Sequence, residues 1–123
     1  MIESGENKFE FEGLIVYQKS LELINLVYKI TRHFPDSERY MLTHQFIRAA
    51  HSVALNIAEG TGGTKSEFKN FLRIAKRSVR ECVVCITIAH EQEYISKEEN
   101  ENIRTRCAEI SKMLNGLIKS IKE

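Results

Sequence analysis

Pro35 is the only proline in the chain, and it separates two long stretches whose apolar residues recur every three or four positions. A proline holds the residue before it in extended conformations, so Phe34 ends one helix and Asp36 or Ser37 can cap the next. The glycines number six, and Gly60, Gly62 and Gly63 are clustered in one turn. With so few breakers, long helices are favoured over many short strands.

Apolar periodicity then places the helices. In the first, about Gly13 to His33, Leu14, Tyr17, Leu21, Ile24 and Tyr28 fall on one face. The second, about Glu38 to Glu59, turns Leu42, Phe46, Ala49, Ala50, Val53 and Ile57 inward and ends at Gly60. A capping box, Thr64 with Glu67, opens the third, which can run to about Tyr94. A second box, Ser96 with Glu99, opens the fourth, where Ile103, Cys107, Ile110, Leu114, Leu117 and Ile121 form a heptad-like seam. Short connections between long helices predict an all-α, up-down-up-down antiparallel four-helix bundle over residues 13–121. Residues 1–12, with Glu3, Glu6, Glu10 and Glu12 against Lys8, read as a mobile acidic arm that Phe9 and Phe11 can dock.

The second half of the third helix is apolar nearly all round: Cys82, Val83, Val84, Cys85, Ile86, Ile88 and Ala89. A helix in a four-helix bundle keeps one face outward, so this surplus predicts a homo-oligomer with Val83, Val84, Ile86 and Ile88 at a subunit interface. The alternative is that the amino-terminal arm covers it.

Several chemistries lack their residues. Carboxylate-bridged metal bundles need Glu-x-x-His pairs, which this sequence does not contain, and His33, His44, His51 and His90 are scattered. Cys82 and Cys85 lie mid-helix among valines and isoleucines, where a zinc or redox site is not expected, and Cys107 can approach them. Lys65 and Ser66 follow glycines, but a helix precedes them where a phosphate loop needs a strand. RNA-cleaving toxin bundles pair an arginine with a later histidine; Arg48 and His51 lie too close together for that spacing, and no such pair is expected. The sequence therefore predicts no catalytic site, no metal and no cofactor. Reduced thiols, an amino-terminal segment unlike a signal peptide and no apolar run near the ~18 residues of a membrane span predict a cytoplasmic protein without a membrane partner.

Basic and acidic residues nearly balance, 18 against 17, so no global field draws the chain to nucleic acid. The placement is uneven. Lys65, Lys69, Arg73, Lys76, Arg77 and Arg80 fall within about a third of the third helix's circumference, at ~100° per residue. Between Lys65 and Arg80 the only acid is Glu67. This stripe is either a contact for a nucleic-acid backbone or a solvated face offset by acids of the arm or the fourth helix. No aromatic is interleaved to stack bases. On the second helix Gln45, Arg48, Asn56 and Glu59 form a polar stripe, either simply exposed or a hydrogen-bonded network reaching Glu81.

The stretch from Gln45 to Gly60, QFIRAAHSVALNIAEG, is the most specific part of a wider pattern. With Tyr17 to Ser20, Phe34-Pro35, Ser66 to Phe68, Phe71 to Ala75, and Ser78 with Glu81, it resembles the bacterial four-helix-bundle family of 23S rRNA intervening-sequence proteins. The resemblance implies a homopentamer with a central channel and no settled biochemical activity. A related group, the accessory variability determinant of diversity-generating retroelements, is a basic pentamer that binds nucleic acid and a reverse transcriptase. The resemblance thus implies RNA or DNA, or a protein, as partner. The chain departs from the pattern at Ile47, where a basic or polar residue is common, and at Arg77, where glycine is.

Overall fold

The computed structural model of the protein describes residues 7–123. Glu3 and Glu6 of the expected arm lie outside that range. Four α-helices carry the fold: α1 Ile15–Thr31, α2 Leu42–Thr61, α3 Lys65–Glu91 and α4 Lys97–Ser120. There is no strand among the described residues.

Neighbouring helices run antiparallel, as their cross-contacts show. Down α2, Gln45 bonds Glu81, Ser52 receives Ser78, and Gly60 meets Phe68 and Phe71 of α3. Between α3 and α4, Thr87 accepts from Arg104 while Val79 shares a groove with Ser111. Lys19 pairs with Glu109 and Glu22 with Arg106 across α1 and α4. Tyr28 reaches His51, and Tyr17 lines a groove with Ala58, across α1 and α2. Each pairing ascends on one helix as it descends on the next, which is the up-down-up-down order.

One core fills the bundle, built from Leu23, Val27 and Ile30, then Phe46, Val53 and Ile57, then Leu72, Val79 and Ile86, then Ile103, Ile110 and Leu114. Ala49, Ala50 and Ala75 are buried within it, and their small side chains let α2 and α3 lie close together. A methyl on Gly60 would meet Phe68 Cδ1 and Phe71 Cβ at 2.9 Å, so only glycine fits where these two helices converge.

The structure moves three expected boundaries. α2 begins at Leu42 and not near Glu38, because a 3₁₀ turn, Asp36–Glu38, intervenes and the Glu38 carboxylate accepts from the Leu42 N–H. That carboxylate also accepts from Tyr94 Oη at 2.8 Å, tying the start of α2 to the α3–α4 turn. α3 stops at Glu91 and not near Tyr94, because Glu93 adopts φ 63°. Glu93 N–H donates to the His90 carbonyl and Tyr94 N–H to the Ala89 carbonyl, the paired bonds of a Schellman ending. Finally, Glu10–Gly13 forms a 3₁₀ turn, and Phe11 packs edge-on against Tyr17 at 5.1 Å, while Phe9 stays exposed.

Ile86 must be removed from the expected interface. It is 0% exposed and lies among the core residues of its own bundle. It shares a helix face with Val79 and Cys82, and that face points inward. Val83 is half-buried against the core, whereas Val84 and Ile88 are 57% and 42% exposed.

Candidate nucleic-acid interface

The orientation of α3 follows from both its start and its buried face. Thr64 Oγ1 accepts from Glu67 N–H at 3.1 Å, and Glu67 Oε1 accepts from Thr64 N–H at 2.7 Å. Leu72, Ala75, Val79 and Cys82 bury one side against α2 and α4. Burial of that side turns the opposite one outward, and the cations lie there. Lys65, Arg73, Arg77 and Arg80 are exposed, and Lys69 and Lys76 are half-buried.

Lys69 Nζ lies 3.1 Å from Glu123 Oε2. Among the described residues, Lys65, Arg73, Lys76, Arg77 and Arg80 enter no ion pair, and no acid of the arm or of α4 offsets the stripe, since Glu123 lies beyond α4. The α1–α4 face differs. There Lys19 stands 3.9 Å from Glu22 and 3.8 Å from Glu109, and Arg106 stands 3.1 Å from Glu22. Charge is therefore matched on that face and left unmatched along the stripe.

One cation escaped the sequence pattern. A groove of about 580 Å³ between α3 and α4 is lined by Arg80, Val83, Val84, Arg104 and Cys107, among others. Arg104 projects into it from α4 and donates to Thr87 Oγ1 at 2.8 Å, extending the positive surface past Arg80. Helical periodicity joins residues within one helix, and Arg104 belongs to the next. Beyond Arg80 the outward face of α3 turns apolar at Val84 and Ile88.

The polar stripe of α2 resolves into two separate links. Gln45 Nε2 donates to Glu81 Oε2 at 3.3 Å. Asn56 Nδ2 donates to the Ser52 carbonyl at 2.8 Å and to Ser52 Oγ at 2.9 Å, and Ser78 Oγ bonds Ser52 Oγ at 2.8 Å. Arg48 and Glu59 are exposed, and their side chains join neither link among the described residues. The structure thus brings Gln45 to Glu81 but does not assemble the five residues into one network. Ser78, absent from the expected set, carries the second link.

Other chemistry-bearing residues stand apart. His51 Nε2 and Tyr28 Oη share a hydrogen bond of 2.8 Å, and His33, His44 and His90 are exposed. Arg39 and His44, with Tyr40 to Thr43 between them, do form an arginine followed by a more distant histidine, against the expectation of no such pair. Arg39 lies in the turn before α2, its guanidinium 6.0 Å from the Tyr40 ring, and no hydrogen bond joins it to His44 among the described residues. Cys82, Cys85 and Cys107 are free and buried. Burial pushes the Cys107 thiol up to about 12, with Arg104 pulling slightly the other way. Burial, then Glu81, pushes Cys85 up to about 11. Among the described residues no group of three or more His, Cys, Asp or Glu is placed to hold a metal ion. No described helix is long and apolar enough to cross a membrane.

The sequence pattern of one family, described as 23S rRNA-intervening sequence protein, matches residues 12–116, from the turn before α1 almost to the end of α4. The chain belongs to that family. For a 23S rRNA-intervening sequence protein, the match takes in the whole basic stripe and both polar links, and stops short of Glu123. A crystal structure at 1.70 Å of a protein of unknown function from the S23 ribosomal protein family of Bacteroides thetaiotaomicron is similar to this chain. The TM-score is 0.79 at 27% identity, over 86% of this chain and 100% of the other. No curated protein matches the chain.

Proposed function

We propose that this protein is a non-enzymatic, cytoplasmic, homo-oligomeric bundle that contacts the phosphate backbone of RNA or DNA through the outward face of α3. The observation that carries the reading is the run of cations at Lys65, Arg73, Lys76, Arg77 and Arg80 that enter no ion pair among the described residues, whereas Lys19 and Arg106 on the α1–α4 face are paired. Phosphate contact of this kind reads no sequence, since Lys and Arg meet backbone oxygens and no aromatic is placed for stacking. Oligomerisation through Val84 and Ile88 would repeat the stripe around a symmetry axis and multiply its charge. The family's fold and its unknown activity are compatible with this, and the pentamer implied by the resemblance is part of the proposal.

The test is direct binding of labelled RNA and DNA to the wild type and to an Arg73→Glu/Lys76→Glu/Arg80→Glu variant. Arg73 and Arg80 are exposed, Lys76 is half-buried and none of the three belongs to the core, so the variant is expected to fold and to lose binding by at least about tenfold. Equal binding by both proteins would show that the stripe does not make the contact. A second reading, a scaffold that binds protein only, is favoured by the exposed Tyr40, Met41, Leu55, Val84 and Ile88. Failure of the wild type to bind either nucleic acid at low salt selects it.

A further inference from the structure

Among the described residues, Lys69 is the one cation of the stripe that holds an anion. Its side chain is 21% exposed, and its ammonium stands 3.1 Å from Glu123 Oε2. Glu123 comes to it from beyond α4. After Ser120 the chain leaves the helix at Ile121, which is half-buried against the core and directs the segment toward α3. Ser66 and Arg73 lie about one turn to either side of Lys69 on the same face. The Glu123 carboxyl is drawn below its ordinary range by Lys69 first, and then by Ser66 and Arg73. Lys69 thus holds the carboxylate directly, and Ser66 and Arg73 flank Lys69 about one turn to either side on the same helix face.

We propose that Ser66, Lys69 and Arg73 form a phosphate subsite within the stripe, and that Glu123 occupies it as a tethered competitor which a phosphodiester must displace. The inference rests on the phosphate-contact reading of α3 and adds a regulation to it. A phosphate oxygen and a carboxylate oxygen make the same charge-assisted bonds to ammonium and hydroxyl, and two anions cannot share the position without repulsion. The gain on removing the competitor is the size of an exposed ion pair, up to about fivefold in affinity.

The experiment compares the full chain with Glu123→Gln, with Glu101→Gln as a control that loses the same charge on an exposed part of α4, and with Lys69→Gln/Glu123→Gln. Binding of an unstructured single-stranded RNA is measured by anisotropy, and inorganic pyrophosphate is titrated with the amides of Ser66, Lys69 and Arg73 followed by NMR. The proposal expects Glu123→Gln to bind RNA about two- to fivefold tighter than wild type, Glu101→Gln to match wild type, and the double variant to lose the gain. No gain in Glu123→Gln, or an equal gain in Glu101→Gln, overturns it. If no variant binds RNA, the phosphate-backbone reading fails and pyrophosphate decides the subsite alone. Tighter pyrophosphate binding at those amides in Glu123→Gln then upholds the subsite, and unchanged binding overturns it.

Discussion

Cys82, Cys85 and Cys107 lie together at the α3–α4 side of the core, and their environment sets their chemistry. Burial disfavours the thiolate, which is the nucleophilic form, so all three should be inert in the folded protein. The folded state holds these protons more tightly than the unfolded one. The contribution to stability is therefore full below the ordinary thiol value and is lost as pH rises toward about 11 for Cys85 and about 12 for Cys107. An aromatic disulfide reagent at pH 8 is predicted to react with no thiol in the native protein and with all three in denaturant, and the melting temperature should fall above about pH 9. Reaction of any native thiol at the rate of a free one would contradict this. That these cysteines are buried was legible from their apolar neighbours. The role of Ile86 was not, because Val83, Val84, Ile86 and Ile88 are equally apolar in sequence. Which of them turns inward is settled by the rotation of α3 against α2 and α4, which places Ile86 in the core and Val84 outside.

Among the elements, helix beginnings and helix ends differ in how far the sequence reveals them. The boxes at Thr64 and Ser96 are complete within three residues of chain, and both form as their spacing predicts. The end of α3 depends on a left-handed residue, and Glu93 gives no sign of it, since glycine usually holds that position. A β-carbon there costs about 1 kcal/mol relative to glycine. Glu93→Gly is accordingly predicted to stabilise the protein by up to ~1 kcal/mol in denaturant unfolding. A loss of stability would mean that the Glu93 side chain contributes more than its backbone costs. The basic stripe was legible because helical period alone aligns it. Its pairing at Lys69 was not, because the approach of Glu123 depends on where α4 ends relative to α3. The polar links on α2 fall between these cases. Gln45 and Glu81 were anticipated, but Ser52 and Ser78 meet through the closeness of two helices that only the packed core fixes.

At the scale of the whole molecule, the outward face of α3 carries two surfaces in series, cations up to Arg80 and apolar side chains at Val84 and Ile88. The first is proposed to meet phosphate and the second a neighbouring subunit. Val84→Glu/Ile88→Glu leaves the core intact and is predicted to reduce an assembly to the 14.2 kDa single chain, measured by light scattering at micromolar concentration. A wild type that is already a single chain would contradict the assembly, and an assembly that survives both charges would place the interface elsewhere.

If the cations on α3 meet phosphates, nucleic-acid binding must weaken with salt. Each neutralised phosphate of a duplex contributes a slope of about −0.9 in log affinity against log salt, and of a single strand about −0.7. With Arg73, Lys76, Arg77 and Arg80 engaged, the predicted slope is about −3 to −4 for each bound stripe. A linear slope of that size, reduced in the Arg73→Glu/Lys76→Glu/Arg80→Glu variant, is the predicted result. Binding that does not change with salt, or no binding at low salt, would contradict it.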